Sequence, residues 1–287
     1  MEPLVSVIVP TFNRRAMVSE AVASVRAQTM GAWECLVVDD GSTDGTAEAI
    51  EEMADERVCL LRQENRGVAA ARNRGIAASR APLVAFLDSD DLWHPAKLAR
   101  QVAVMDEGWA LCHTDEVWVR RGVRVNPKNK HAKSGGWLLE RSLELCCISP
   151  SAAMVRRDVI EALGGFDEAY PVCEDYDLWL RLTARYQVAF VPEPLVTKRG
   201  GHADQLSASR WGLDRWRVAA IEKLLAEGRL DAEAHRSAVA ELHRKCDILV
   251  GGFAKRGKEA EAAHYRSLKE RHPLQPSTEA VCPGSRS

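Results

Sequence analysis

Short, continuous apolar runs alternate with longer periodic segments over the first hundred residues. A continuous run is typical of a buried strand, whereas apolar side chains that recur every three or four positions indicate an amphipathic helix. The predicted strands are 5–9, 35–38, 58–61 and 83–87; the predicted helices are about 14–27, the segment of Ala47, Ile50 and Ala54, 67–79, and one that begins near Pro95. Helices of roughly 12 residues between strands imply right-handed crossovers, so we predict an α/β fold with a mainly parallel sheet.

The pattern loosens after about residue 106. Shorter strands are predicted at 109–113, 117–119, 151–155 and 188–191, short helices at 157–163 and 174–185, and a polar loop at 126–136. From 211 to 271 the sequence is typical of helices, interrupted near Gly228 and at Gly251-Gly252. The tail from Pro273 contains further prolines and serines, and we predict that it is disordered.

Composition narrows the class of protein. The 287 residues are 46% apolar and 28% charged, an ordinary globular balance, and the net charge is −2. This near-neutrality argues against a protein that binds mainly nucleic acid or anionic lipid. The pattern indicates neither a transmembrane segment nor a signal peptide, and the eight cysteines form no C-x-x-C pair. We therefore expect a cytoplasmic protein with reduced thiols and no zinc site.

Polar residues follow three of the predicted strands, in the segments 10–13, 39–42 and 88–91. Ligands of an open parallel sheet bind outside the carboxyl ends of its strands, so these segments should converge on one crevice. Two of them bring carboxylates, which repel each other unless a cation lies between them. A single aspartate here could instead form a turn, and Thr11 or Asn13 could cap the first helix.

Asp88 and Asp90 form the most specific of these acidic ends. They lie two residues apart in the turn after a buried strand, so both carboxylates could face one hard cation. Oxygen ligands suit Mg²⁺ or Mn²⁺, which keep coordination positions open for phosphate oxygens. Because the sequence contains no P-loop and no G-x-G-x-x-G motif, a divalent metal is the simplest neutraliser of a phosphate ligand.

Five segments, in this order, carry a resemblance to a known family. They are VSVIVPTFNR (5–14), ECLVVDDGSTDGT (34–46), NRGVAAARNRGIAASRAPLVAFLDSDD (65–91), GGFDE (164–168) and EDYDLWLRL (174–182). The chain from about residue 4 to 200 resembles the family 2 glycosyltransferases of the GT-A fold. The resemblance implies that a sugar is transferred, with inversion, from a nucleotide diphosphate donor to an acceptor hydroxyl, with Mg²⁺ or Mn²⁺ as cofactor. The expected donor is a UDP-sugar.

The same resemblance implies roles for individual residues. Asp90 would bind the metal directly, Asp88 would lie near the metal and the ribose, and Asp40 would accept a hydrogen bond from the nucleotide base. His202, in a loop after an apolar strand, would complete the metal coordination, unless it is a surface residue. The implied nucleotide-binding residues are Pro10, Thr11, Asn13, Asp40, Asn73, Asp88 and Ser89.

Glu174 and Asp175 begin a predicted helix, where acids favourably complement the helix dipole. Inverting sugar transfer also needs a carboxylate that takes the proton of the acceptor hydroxyl. By analogy with the family, Asp175 is the expected base and Glu174 its neighbour in positioning, with the reverse assignment as an alternative. Asp177 is predicted to be an exposed helix acid.

The resemblance also suggests a division of the chain. We expect a nucleotide-sugar-binding half at 1–106, an acceptor-binding and catalytic half at 107–210, a helical extension at 211–272 and the disordered tail at 273–287. The acceptor could be a glycan, a lipid-linked sugar or another hydroxyl compound, and the extension could contact a membrane surface. A non-catalytic sugar-nucleotide-binding module and a nucleotidyltransferase of related fold are the alternative functions.

Overall fold

The computed structural model describes residues 2–126, 128–201 and 212–274. The strands of these ranges are β1 (Val5–Thr11), β2 (Trp33–Asp39), β3 (Val58–Arg62), β4 (Leu83–Phe86), β5 (Leu92–Trp93), β6 (Leu111–Arg120), β7 (Val123–Val125), β8 (Ala153–Arg156) and β9 (Val188–Gly200). Their helices are α1 (Arg15–Arg26), α2 (Thr46–Glu51), α3 (Val68–Ala78), α4 (Lys97–Met105), α5 (Leu139–Glu144), α6 (Arg157–Ala162), α7 (Glu174–Thr183), α8 (Asp214–Ala226), α9 (Ala232–Ala254) and α10 (Glu259–Arg271), with 3₁₀ turns at Asn129–His131 and Pro150–Ala152.

The described strands form one sheet in the order β3-β2-β1-β4-β8-β6-β9-β5, with β7 paired to β6. The pairs among β1, β2, β3 and β4 are parallel, as is the β6–β9 pair. The pairs that join β8 to β4 and β6, β5 to β9, and β7 to β6 are antiparallel. The α/β prediction is confirmed, and so are the C-terminal helices; the pairing is parallel among β1, β2, β3 and β4 and mixed in the rest of the sheet.

Strand β9 continues through Pro192 and Pro194, although the sequence predicted that this strand ends at Val191. The predicted strands 109–113 and 117–119 form the single strand β6, and β9 pairs with it over its whole length. The register shifts between Thr114 and Glu116, where β6 faces the prolines Pro192 and Pro194 of β9. Such an irregularity suits proline, which cannot donate to the ladder. Similarly, α9 continues through Gly251-Gly252, since buried Leu249 and Phe253 pack it on both sides of the glycines.

Two apolar clusters cover the two faces of the sheet. The first joins β1 and β2 to α1 and α4, and the second joins β1 and β4 to α3 and α7. A third cluster lies between α7 and the helices α5, α8, α9 and α10. Helix α7 is therefore covered on both sides, with Trp179 packed toward the sheet and Tyr176 packed toward the C-terminal helices. The position of its first turn is set by packing from two directions.

Asp177 shows the consequence of this double burial. It is 1% exposed, and it accepts hydrogen bonds from Arg181 on the same helix and from Lys223 of α8. The prediction of an exposed helix acid is wrong, because the C-terminal helices cover the face of α7 on which Asp177 lies. A buried carboxylate needs such partners, and here two cations supply them.

Lys97 is a buried cation that should make stability depend on pH. Its ammonium lies 3.9 Å from the centre of the Trp93 ring and donates to Gln101. Burial lowers the pKa of Lys97 to about 7, so above pH 7 the unfolded chain binds a proton that the folded protein does not. The free energy of unfolding therefore gains a contribution from Lys97 that grows as pH rises from 7 toward 10.

Lys97→Met should accordingly be more stable than the parent at pH 7, and this advantage should shrink by about 1–2 kcal/mol between pH 7 and 9. Urea unfolding of both proteins at the two pH values measures the change. Exposed Lys128, changed to Met in parallel, is the control. An advantage that stays constant over this pH range would show that Lys97 keeps its ordinary pKa.

Candidate active site

Three parallel strands bring their polar ends to the same level of the sheet. Thr11 at the end of β1 lies beside Asp39 at the end of β2. On the other side of β1, Ile8 lies beside Phe86 of β4, and the backbone N–H of Leu87 donates to Ile8 at 3.0 Å. The segments that follow β1, β2 and β4 therefore meet at one edge, as the strand-end pattern predicted.

Asp40 is bound to the loop that leads into α3. Its Oδ1 accepts from the backbone N–H of Arg66 and from the side chain of Gln63, and its Oδ2 accepts from the N–H of Gly67, all within 2.9 Å. The residue is 4% exposed. Its carboxylate thus fixes the β3–α3 loop beside the end of β2. A role in nucleotide binding for Asp40 would require a lone pair that these three donors leave available.

Arg72 of α3 connects the two acidic segments of the site. Its guanidinium donates to Glu174 Oε1 at 2.6 Å and to Asp88 Oδ1 at 2.7 Å. Arg72 and Glu174 are buried, and the Asp88 side chain is 27% exposed. Burial raises the pKa of Glu174, and the nearby Arg72 opposes that rise. One buried cation therefore holds the end of β4 against the beginning of α7.

Asp90 and Asp91 have separate partners although they are adjacent. Asp90 pairs with Arg14 at 2.9 Å, and its side chain is 14% exposed. Asp91 is buried, where it accepts from the hydroxyl of Ser151 at 2.6 Å and from the backbone N–H of Arg199 at 2.9 Å. Burial, together with repulsion by Asp88, raises the pKa of Asp91 to about 8. Asp90 is thus the partly exposed acid of the two, while buried Asp91 anchors the turn.

Asp175 is the more accessible acid at the start of α7. It is partly exposed, whereas Glu174 is buried. Its Oδ1 accepts from the N–H of Tyr176 at 2.8 Å, and its Oδ2 lies 3.3 Å from the thiol of Cys146. The described contacts of Asp175 are thus with neutral donors, unlike the ion pair of Glu174. A carboxylate in this setting is able to accept a proton from a bound hydroxyl.

Two of the predicted nucleotide-binding residues have partners that sequence reasoning did not foresee. The Asn73 amide donates to the carbonyl of Phe166 and to Glu168, and its oxygen accepts from the N–H of Phe166. Asn73 therefore holds the 164–168 loop against α3, and a Cβ at Gly165 would lie only 2.7 Å from its oxygen. Asn13 accepts from the N–H of Thr43.

The possible helix-capping role of Asn13 is not what the structure shows. The residue before α1 is Arg14, which makes no side-chain cap, and Asn13 has a positive φ of 50°. Besides its bond to Thr43, Asn13 donates its backbone N–H to the hydroxyl of Ser42 at 2.7 Å. It therefore joins the loop after β1 to the loop after β2 and shapes the crevice indirectly.

The remaining predicted residues are placed as follows. Pro10 and Thr11 lie in β1 and are buried, and Thr11 Oγ1 has no hydrogen-bond partner within the described residues. Ser89 is buried between Asp88 and Asp90. His202 lies outside the described residues. A buried hydroxyl usually has a hydrogen-bond partner, so Thr11 Oγ1 is an unsatisfied polar atom at the end of β1 among the described residues.

The donor chemistry of Asp88 and Asp90 fits a divalent cation. Both side chains present hard oxygen atoms and keep some exposure to solvent. Within residues 2–126, 128–201 and 212–274, no three His, Cys, Asp or Glu side chains gather closely enough to form a full metal cage. Two carboxylates with room for water and phosphate oxygens suit Mg²⁺ or Mn²⁺, which are usually bound in this incomplete way.

A comparison with models of protein families identifies the family to which the chain belongs. The sequence model of "Glycosyl transferase family 2" matches residues 6–164, which include the ends of β1, β2 and β4. The chain belongs to glycosyl transferase family 2.

Curated members of the family resemble the chain over part of their length. The putative teichuronic acid biosynthesis glycosyltransferase TuaG of Bacillus subtilis is 44% identical over 109 residues, which are 37% of this chain and 43% of TuaG. The UDP-Glc:alpha-D-GlcNAc-diphosphoundecaprenol beta-1,3-glucosyltransferase WfgD of Escherichia coli is 42% identical over 36% of this chain and 41% of its own length. The chain thus covers less than half of each of these two relatives.

Solved structures share the fold. TarS of S. aureus residues 1–349, in complex with UDP-GlcNAc, aligns with a TM-score of 0.67 at 18% identity, over 96% of this chain and 93% of that one. The mannosyltransferase PcManGT of Pyrobaculum calidifontis, in complex with GDP-Man and Mn²⁺, aligns with a TM-score of 0.61 at 20% identity, over 95% and 84% of the chains. This family 2 chain therefore has the GT-A fold of these proteins.

Several residues that organise the site carry little signal in the sequence. For Arg72 the available signal is a charged residue among the alanines of α3, because a charge on a buried helix face needs acidic partners. Arg14, Ser151 and Cys146 could not be assigned from the sequence, because their partners lie far away along the chain.

No helix of the described residues is both long and apolar enough to span a membrane.

Proposed function

We propose that this chain is an inverting glycosyltransferase that moves a hexosyl group from a UDP-sugar to an acceptor hydroxyl. The main observation that supports this proposal is the pair of ion pairs made by Arg72. They link Asp88 at the end of β4 to Glu174 at the start of α7. This link holds the segment that would bind the donor diphosphate next to the segment that would supply the base. A module that only bound sugar nucleotides would not need the partly exposed carboxylate of Asp175 at the start of α7.

The proposed reaction assigns a role to each acidic segment. The Asp175 carboxylate takes the proton of the acceptor hydroxyl while the acceptor oxygen forms a bond to the anomeric carbon. The bond from that carbon to the diphosphate breaks on the opposite face, and UDP leaves with the electron pair. Asp88 and Asp90 would hold a divalent cation, which when bound supplies Lewis-acid stabilisation of the diphosphate. Glu174, fixed by Arg72, positions the start of α7.

The nucleotide would lie against the ends of β1 and β2. Thr11, Asp40 and Ser89 surround this region, and Asp88 would lie toward the ribose. Lys198 is a further cation near the diphosphate position. It donates to Ser149 at 3.1 Å, and neighbouring acids, among them Glu116, Asp91 and Asp88, outweigh burial and raise the pKa of Lys198. Lys198 therefore stays charged and can help to balance a bound diphosphate.

The relatives support a more specific donor and acceptor. WfgD is named for UDP-Glc as donor and for a GlcNAc-diphosphoundecaprenol acceptor, and its named product linkage is beta. UDP-glucose carries its glucose in the alpha linkage, so such a product requires inversion. We propose UDP-glucose as the first donor to test and a lipid-linked α-GlcNAc-diphosphate as the first acceptor. We also propose that the protein is located in the cytoplasm. The free thiols of the described cysteines support this location, because the cytosol keeps cysteines reduced.

We further propose that residues 1–106 form the donor half, that 107–210 form the acceptor half and that 211–272 form an extension. The strands β1 to β4, which pair in parallel with one another, lie in the proposed donor half, whereas β6 to β9, with mixed pairing, lie in the proposed acceptor half. The C-terminal helices would shape the acceptor side by packing on α7. A peripheral contact of this extension with a membrane that carries the lipid acceptor fits the same proposal.

Donor binding by Asp90→Ala tests the proposal directly. We expect calorimetry to give an affinity for UDP in Mn²⁺ that is about 50-fold weaker in the variant, because a carboxylate that helps to bind the phosphate-neutralising cation is gone. Removal of Mn²⁺ with EDTA should weaken UDP binding to the parent similarly and should have little further effect on the variant. Asp106→Ala, at an exposed acid after α4, is the control. Undiminished, chelator-insensitive binding in Asp90→Ala would refute the proposed metal role.

A further inference from the structure

Cys146 lies against the carboxylate to which the proposed function assigns proton transfer. Its Sγ is 3.3 Å from Asp175 Oδ2 and 3.5 Å from the carbonyl oxygen of Ile148. Cys146 follows α5 and precedes the 3₁₀ turn at Pro150–Ala152, so it reaches α7 from a separate part of the chain. The thiol has one proton and two acceptors within reach, of which the carboxylate is the charged and therefore the stronger one.

The thiol keeps its proton in this position. Burial, reinforced by the charge of Asp175, raises the pKa of Cys146 well above its usual range. It is therefore a neutral donor at any pH at which the enzyme would work. The other oxygen of Asp175 accepts only from the N–H of Tyr176 among the described contacts, so the thiol is the side-chain donor that sets the direction of the carboxylate.

We propose that Cys146 is a positioning residue for the general base: its S–H donates to Asp175 Oδ2 and, together with the N–H of Tyr176 on Oδ1, fixes the carboxylate in the orientation that receives the acceptor proton. This inference rests on the proposed function. The hydrogen bond is made to the charged form of the carboxylate, so we expect loss of the donor to alter the acidic limb of the kcat profile.

Other charges around this pair set a constant background. Glu174 precedes Asp175 on α7, Arg72 approaches from α3, Lys198 from β9, and Arg217 from α8. Exchange of the thiol for a hydroxyl or a methyl group leaves all of them in place. A difference in the acidic limb of kcat between such variants therefore reports the donor at position 146.

The test is the pH profile of kcat for Cys146→Ala and Cys146→Ser, with UDP-glucose and a lipid-linked α-GlcNAc-diphosphate. Cys146→Ala should lower kcat about 3- to 10-fold, leave KM for UDP-glucose within about twofold, and move the acidic limb up by about 0.5–1 pH unit. Cys146→Ser, which restores a donor, should return the limb to within about 0.3 unit of the parent. Cys59→Ala is the control, since Cys59 is an exposed free cysteine of β3.

A reciprocal measurement needs no turnover. Because the charge of Asp175 raises the pKa of the thiol, Asp175→Asn should make Cys146 react with iodoacetamide several-fold faster at pH 8, as followed by mass spectrometry. An unchanged alkylation rate together with an unmoved acidic limb in Cys146→Ala overturns the inference and leaves the proposed function standing. Full transfer activity in Asp175→Asn overturns both, because the base would then lie elsewhere.

Discussion

Asp175→Asn is expected to lower kcat about 1,000-fold, while the affinity for UDP in Mn²⁺ stays within about twofold of the parent. The amide keeps the size of the carboxylate but cannot take the acceptor proton. In the proposed donor site, Asp88 and Asp90 are held by Arg72 and Arg14, and Asp175 is not among their described contacts. Transfer of radiolabelled glucose from UDP-glucose to a lipid-linked α-GlcNAc-diphosphate measures the first quantity, and calorimetry measures the second.

Two companion variants make this result specific. Glu174→Gln should reduce kcat much less than Asp175→Asn, because Glu174 is already engaged by Arg72 and would act only through position. Glu161→Gln, at an exposed acid of α6, should leave kcat unchanged. If Glu174→Gln were the inactive protein and Asp175→Asn the active one, the two roles would have to be exchanged.

The parts of the site that the sequence predicted depend on local patterns. An apolar run shows where a buried strand ends, and parallel pairing then places the residues after it at a common edge. Thr11 and Asp39 lie side by side for this reason, and Asp88 follows β4 at the same edge. The acids at the start of α7 were recognisable from their motif alone, and the ion pair through Arg72 brings them to the strand ends.

The roles that the sequence did not predict depend on contacts between remote segments. Asn73 bonds to Phe166, 93 residues further along the chain, and Asp177 bonds to Lys223, 46 residues further along. Neither partner leaves a periodic signal near the residue itself. The length of β9 was not predicted for a related reason. A proline in the sequence indicates the end of a strand, and the irregular register with β6 that accommodates the prolines of β9 depends on a remote segment.

The charge balance of the crevice also differs from the simplest expectation. Clustered acids at the strand ends were expected to need a bound cation. The structure shows that the chain itself supplies cations, as Arg14 pairs with Asp90 and Arg72 pairs with Asp88. The two arginines leave the crevice stable before a donor binds. Under the proposed function, a bound cation would share or replace these pairs.

Arg72→Met is expected to lower the free energy of unfolding by about 3–5 kcal/mol. The substitution keeps an unbranched side chain in α3 but leaves Glu174 buried without its cation and Asp88 without its partner. Breaking one side of a buried ion pair is costly for this reason. Urea unfolding followed by circular dichroism measures the loss. Arg66→Met is a matched control, because the Arg66–Glu168 pair is 65% and 40% exposed and should contribute less than about 1 kcal/mol.

The pH dependence of the same variant distinguishes a lost ion pair from lost packing. Without Arg72 the pKa of Glu174 should rise further, since burial already raises it and Arg72 is the cation that opposes the rise. A raised folded-state pKa makes protonation favour the folded protein, so Arg72→Met should regain stability relative to the parent as pH falls from 7 to 5. The double variant Arg72→Met/Glu174→Gln should recover part of the loss at pH 7. A deficit that is equal at both pH values and unchanged in the double variant would mean that Arg72 stabilises the fold through its contact with the Phe166 ring and not through its charge.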